Sequence, residues 1–126
     1  MALSESTRNS MLNALCRNTQ YQIATVWVQL HTNDPGFSTP QSTNIAGETD
    51  RSQATFGSVA SGGAISNTVA IAWTAVSTSE TYVWVSLWSL SSGGTHLGNA
   101  QLTQSKVVNS GDDFSIPGAD LDLTLV

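Results

Sequence analysis

Between Gln22 and His31 the side chains alternate with a period of two. Ala24, Val26, Val28 and Leu30 point one way; Ile23, Thr25, Trp27, Gln29 and His31 point the other. That period predicts a strand, because successive residues of an extended chain face opposite sides. A second run, Tyr82 to Leu90, sets Val83, Val85 and Leu87 on one face and Tyr82, Trp84, Trp88 and Leu90 on the other. Shorter runs lie at Ser52–Val59, Val69–Thr74, His96–Leu102, Lys106–Val108, Asp113–Ile116 and Leu121–Leu125, about eight strands altogether. Turns at Asn33-Asp34-Pro35-Gly36, Ser61-Gly62-Gly63 and Ser91-Ser92-Gly93-Gly94 divide them. Short strands cut by such turns predict an all-β antiparallel β-sandwich, jelly-roll or Ig-like. No fixed-period repeat appears, which excludes solenoids and propellers.

One helix is expected, over residues 3–17. Ser4 or Ser6 can cap its start, Glu5 favours its positive end, and Arg17 its negative end. Met11, Leu12 and Leu15 form a narrow apolar stripe with Cys16 beside it. A helix this short is marginal alone in water, so the stripe needs a surface. The primary expectation is docking on the chain's own sheet; a neighbouring subunit is the alternative. From Phe37 to Asp50 no period survives, which predicts a long surface loop over 37–50. Phe37 and Ile45 in that loop, with Met11, Leu12 and Leu15, are candidate protein contacts.

A chain of 126 residues fits one domain, 1–126, with the helix at 3–17 and the sandwich at 22–126. The single cysteine, Cys16, excludes an internal disulfide framework and any CxxC site. No apolar run approaches the ~20 residues of a membrane span, and Ala2 to Cys16 is too polar for a signal peptide. No membrane association is expected. Nine Asp and Glu stand against Arg8, Arg17, Arg51 and Lys106. Four scattered cations make no phosphate-neutralising patch, so no nucleic-acid partner is expected. Ser (18) and Thr (15) dominate instead, a composition suited to weakly charged protein contacts.

Catalytic chemistry has little to build on. His31, His96 and Cys16 lie on separate elements without the spacing of a zinc site. Asn109-Ser110-Gly111-Asp112-Asp113 carries oxygen ligands but reads as a hairpin turn rather than a calcium loop. Asp34, Glu48, Asp50 and Glu80 show no spacing of a glycosidase pair, and no GxSxG, HExxH or Walker motif appears. No enzyme activity, metal or cofactor is expected. The tryptophans remain. Trp73, among Val and Ile neighbours, is expected in the core. Trp27, Trp84 and Trp88 line the second sheet face, where they either close the sandwich, the primary reading, or stay exposed; exposed, Trp27 and Trp84 are candidate anchors for a protein partner.

An ordered set of segments carries a resemblance. "RNSMLNAL" at Arg8–Leu15 precedes "LHTNDPG" at Leu30–Gly36, then "QATFGSVASGGAISNT" at Gln53–Thr68 and "WSLSSGG" at Trp88–Gly94. "LTQSKVVNSGDDFSIPGADLDLTL" closes the set at Leu102–Leu125. Together they resemble small β-rich virion proteins of tailed bacteriophages, especially those of actinobacteria, labelled minor tail, tail-fibre-like or head decoration proteins. Two departures stand out: of the family's aromatic-Ala-Arg triplet only Arg51 is recognisable, and Ser89 replaces an acid after the strand tryptophan.

The resemblance implies a non-catalytic structural protein of a phage virion. Its primary form here is a capsid decoration or cementing protein on the head exterior, with the major capsid protein and copies of itself as partners. A minor tail, tail-tip or fibre component bound to tail proteins is the alternative. A host-glycan-binding module exposing Trp27 or Trp84 is the third.

Overall fold

The computed structural model describes residues 1–59 and 62–124. The elements run β1 (Ala2–Leu3), α1 (Glu5–Cys16), β2 (Val26–His31), β3 (Ser52–Ala54), β4 (Ala64–Ser66), β5 (Ile71–Trp73), β6 (Glu80–Trp88), β7 (His96–Val108), β8 (Phe114–Ile116) and β9 (Asp122–Thr124). Five strands form one antiparallel sheet in the order β1-β7-β6-β2-β3. The ladders β4-β9 and β5-β8 make up the opposing layer. The protein is therefore all-β and antiparallel with one short N-terminal helix. Its second layer is two separate ladders rather than one continuous sheet.

The core fills the gap between the layers. Val28, Leu30, Val85 and Leu87 of the sheet meet Ile71, Trp73, Phe114, Ile116 and Leu123 of the ladders. Trp73 is in the core as expected, stacked on Phe114 with ring centroids 5.6 Å apart, and its indole N–H donates to the Asp50 carbonyl at 2.8 Å. Satisfying that N–H is what lets so large a ring be buried without cost to hydrogen bonding.

Several boundaries differ from the periodic reading. β2 begins at Val26, because its ladder with β3 ends at the Val26–Ala54 pair and that with β6 at Trp27–Trp88. The runs at His96–Leu102 and Lys106–Val108 fuse into the single strand β7. Its ladder with β6 breaks between Tyr82 and Trp84, where Val83 faces the four residues Leu102 to Ser105. A bulge reverses the facing of the chain. It turns Tyr82 into the core against Phe114, at 5.1 Å, rather than leaving it on the face of Trp84. Val69 lies outside β5 and is exposed. Ser61 of the expected turn and Leu125 of the expected last strand lie outside the described residues.

The helix starts at Glu5 because Ala2 and Leu3 are taken up as an edge strand against Asn99 and Gly98. Gly98 permits that approach: a Cβ there would stand 2.6 Å from the Ala2 carbonyl oxygen. Ser4 then caps the helix, its N–H on the Leu97 carbonyl and its hydroxyl accepting from the Thr7 N–H. This anchoring sets the helix's rotation and overturns one expectation. Thr7 is the buried residue, with Ser10, Met11 and Ala14 half-buried on the same side. Leu12 and Leu15 lie on the outward side, 58% and 81% exposed. The expected stripe is therefore split: Leu12 and Leu15 do not dock on the chain's own sheet, while Met11 lies on the inward side.

The 37–50 loop is surface but not free. Thr32 N–H donates to the Asn44 carbonyl and Ala46 N–H to that of Leu30, so the loop returns alongside the end of β2. Ile45 forms an isolated bridge with His31, and Pro40, Ala46 and Glu48 are buried.

Candidate functional site

Residues directly opposite each other in a ladder share a face. The register pairs Trp27 with Trp88, Gln29 with Ser86 and His31 with Trp84, and continues Ser86 to Asn99 and Trp84 to Gln101. One face of the sheet is thus the apolar core, and the other carries three tryptophans among polar side chains. The expected gathering of Trp27, Trp84 and Trp88 on the second face is what the register shows.

A continuous hydrogen-bond chain runs through this face. The Trp88 indole N–H donates to Ser86 Oγ at 2.8 Å, and Ser86 Oγ lies 2.7 Å from His31 Nε2. His31 Nδ1 lies 3.0 Å from the Thr43 carbonyl oxygen. One proton arrangement satisfies every partner: Nδ1–H donates to the carbonyl, and the Ser86 hydroxyl donates to Nε2. His31 is then neutral, and burial does hold its pKa below the ordinary histidine value.

A second chain anchors the loop that follows β2. His96 Nε2 lies 2.7 Å from Asn99 Oδ1, and Asn99 Nδ2 donates to the Gly36 carbonyl at 2.8 Å. Burial lowers the His96 pKa as well. Gly36, with φ of +64°, turns the chain so that Phe37 sits beside the His96 ring, centroids 5.7 Å apart. The same imidazole lies 5.0 Å from Trp88. Arg51 completes the cluster. Its guanidinium lies 4.0 Å from the Trp88 ring centre, while Nη1 donates to the carbonyls of Leu90 at 2.9 Å and Gly93 at 2.8 Å. Cation–π attraction and two charge-assisted bonds tie the β6–β7 turn to the loop before β3.

The Ser86–His31 distance is that of a nucleophile and its base. The rest of the geometry is not. Both residues are fully buried, and a backbone carbonyl rather than a carboxylate orients the imidazole. The network holds the sheet face together and presents no reacting atom to a substrate.

The expected contact residues separate into two groups. Trp27 and Trp84 lie half-buried on the network face, Ile45 half-buried at its end, and Phe37 50% exposed at its rim. An open hollow of about 430 Å³ adjoins that rim, between Phe37, His96 and the helix start at Ser4 to Ser6. Met11, Leu12 and Leu15 belong to the helix, away from the network. The His31–Ser86 pairing had no sequence signal, since the two stand on different strands with nothing in their spacing to link them. Arg51 was visible only as a fragment of a motif.

Among the described residues no three His, Cys, Asp or Glu side chains gather as metal ligands. Asp112 and Asp113 accept from the N–H groups of Asn109 and Ala75, both at 2.9 Å, as turn residues do. No described helix is long and apolar enough to cross a membrane.

Residues 2–124 match the model of the family described as podophage GP4 fiber I protein gp80. No curated protein matches the chain.

Proposed function

We propose that the chain, which belongs to this phage fibre family and is a structural protein of the virion, is a component of a tail fibre. One observation carries the reading: the match to the fibre family spans residues 2–124, nearly every described residue, rather than one segment of the fold. The Trp88–Ser86–His31–Thr43 chain, each of whose polar atoms has a partner, agrees with a load-transmitting role, because paired buried polar chains rigidify a fold, although Gln29 Oε1 beside it has none. The family description names a fibre, which gives the primary expectation of a head-decorating protein no support.

The contacts follow from exposure. Leu12 and Leu15 present an apolar patch on a helix fixed at its N-terminus, the kind of surface that a neighbouring tail protein covers. Phe37 is the second anchor. Trp27 and Trp84 are half-buried, and the Trp27 indole N–H is held by Thr25 Oγ1 at 3.2 Å, which favours a role in the sheet over an external glycan.

Copy number tests the proposal. Quantitative mass spectrometry of purified virions should find a few tail-fibre equivalents of the chain per particle. Stoichiometry comparable with the major capsid protein would contradict it.

A further inference from the structure

We infer that the hollow between the helix start and the 37–50 loop is a binding site for a neutral saccharide unit, seated on Phe37. The inference rests on the reading of Phe37 as an anchor and names what the ring anchors. At about 430 Å³ the hollow has the size of a small-molecule site, usually roughly 300–1,000 Å³. Three separate segments wall it: Glu5 at the helix start, Phe37, Ser38 and Gln41 of the loop, and Gly94 of the β6–β7 turn. The buried Trp88 and half-buried His96 line its base. Phe37 is held in place by its neighbours. Pro35 and Pro40, on either side of it, are both buried. The Gly36 carbonyl accepts from the Asn99 amide at 2.8 Å, and the Asn44 amide ties the loop back to the Asp34 carbonyl at 2.8 Å. The backbone is thus fixed while the ring stays exposed, so seating a ligand there costs little ordering.

The chemistry of the walls selects the ligand. An aromatic face carries partial negative charge, which suits the C–H groups of a pyranose, polarised by their oxygens. Around that face Glu5, Ser38 and Gln41 are exposed. An ionised carboxylate accepts from two hydroxyls, while a serine hydroxyl or a glutamine amide both donates and accepts. Sugar hydroxyls need both kinds of partner. Charge argues against other small ligands. Glu5 repels an anion, and the Arg51 guanidinium, 4.0 Å from the Trp88 ring centre, disfavours a cation at the aromatic base. A wholly apolar ligand would leave the polar rim unmatched.

Saturation-transfer NMR of the purified full chain tests this. The probes are the methyl pyranosides of glucose, galactose, N-acetylglucosamine and rhamnose at millimolar concentration, with choline and methyl phosphate as the cationic and anionic comparisons. At least one pyranoside should receive saturation, strongest on the C–H protons of one ring face. Phe37→Ala should raise its dissociation constant about tenfold or more, and Glu5→Gln should raise it several-fold. Leu12→Asp, on the outward side of the helix, should leave it unchanged. Circular dichroism confirms folding of the three variants, all at exposed positions. Saturation of no pyranoside, saturation of choline or methyl phosphate instead, or pyranoside binding indifferent to Phe37→Ala would overturn the inference. If Phe37→Ala then still lowered incorporation into virions, the ring would be a protein contact. The fibre reading would stand in either case, since copy number per particle measures it separately.

Discussion

His31 and Ser86 lie 55 residues apart in the chain and 2.7 Å apart in the fold, where the Ser86 hydroxyl links an imidazole to the Trp88 indole. That hydroxyl is the pivot of the sheet face opposite the core. It fills both of its roles, accepting from one ring and donating to the other, with no water required.

Ser86→Ala should therefore destabilise the fold more than its small volume change suggests. Two buried ring nitrogens would lose their partner, at about 1–3 kcal/mol. Urea denaturation of the variant should show a lower midpoint at unchanged slope. An unchanged midpoint would mean that the chain from Trp88 to Thr43 contributes nothing to stability.

Acid should weaken the fold through the same face. Burial holds His31 and His96 below the ordinary histidine pKa, so the folded state resists a proton that the unfolded chain accepts. The unfolded state binds more protons below about pH 6.5, and stability rises with pH wherever that holds. Stability should thus be full above that value and decline as pH falls towards the lowered folded pKa values. Thermal midpoints measured from pH 7.5 down to pH 5 should fall in the native protein and fall less in His31→Gln.

Arg51 joins three groups that no single ammonium can reach together: the Trp88 ring and the carbonyls of Leu90 and Gly93. Arg51→Lys keeps the charge but loses the planar fork. A loss of about 1 kcal/mol is expected, with a larger one for Arg51→Ala. Tryptophan emission should change in both variants, since Trp88 loses a covering group.

Leu12→Asp and Leu15→Asp separate interface from fold. Both side chains point to solvent, so stability should change by less than about 0.5 kcal/mol. Incorporation into virions should fall sharply. Normal incorporation of the folded double variant would remove the helix from the interface.

The all-β class was legible because period-two alternation survives along β2 and β6, whose core faces are Val28/Leu30 and Val85/Leu87. What escaped was set by contacts between distant segments. Tyr82 alternates with Trp84 in sequence, yet a bulge formed by β7 residues sends it to the core. The helix stripe reads as inward-facing until β1 and Ser4 fix a rotation that puts Thr7 beneath and Leu12 outside. Those anchors depend on Gly98, nearly a hundred residues away, whose missing Cβ has no local signature. At the candidate site, three tryptophans on one face followed from alternation alone. The histidine–serine–tryptophan relay needed the register between β2 and β6, which no local pattern encodes.

Immunogold labelling of purified virions with antibody to this chain, viewed by electron microscopy, addresses the central claim most directly. Gold confined to the tail and its fibres is the predicted result. Dense label distributed over the heads would contradict the account and return the chain to the capsid surface.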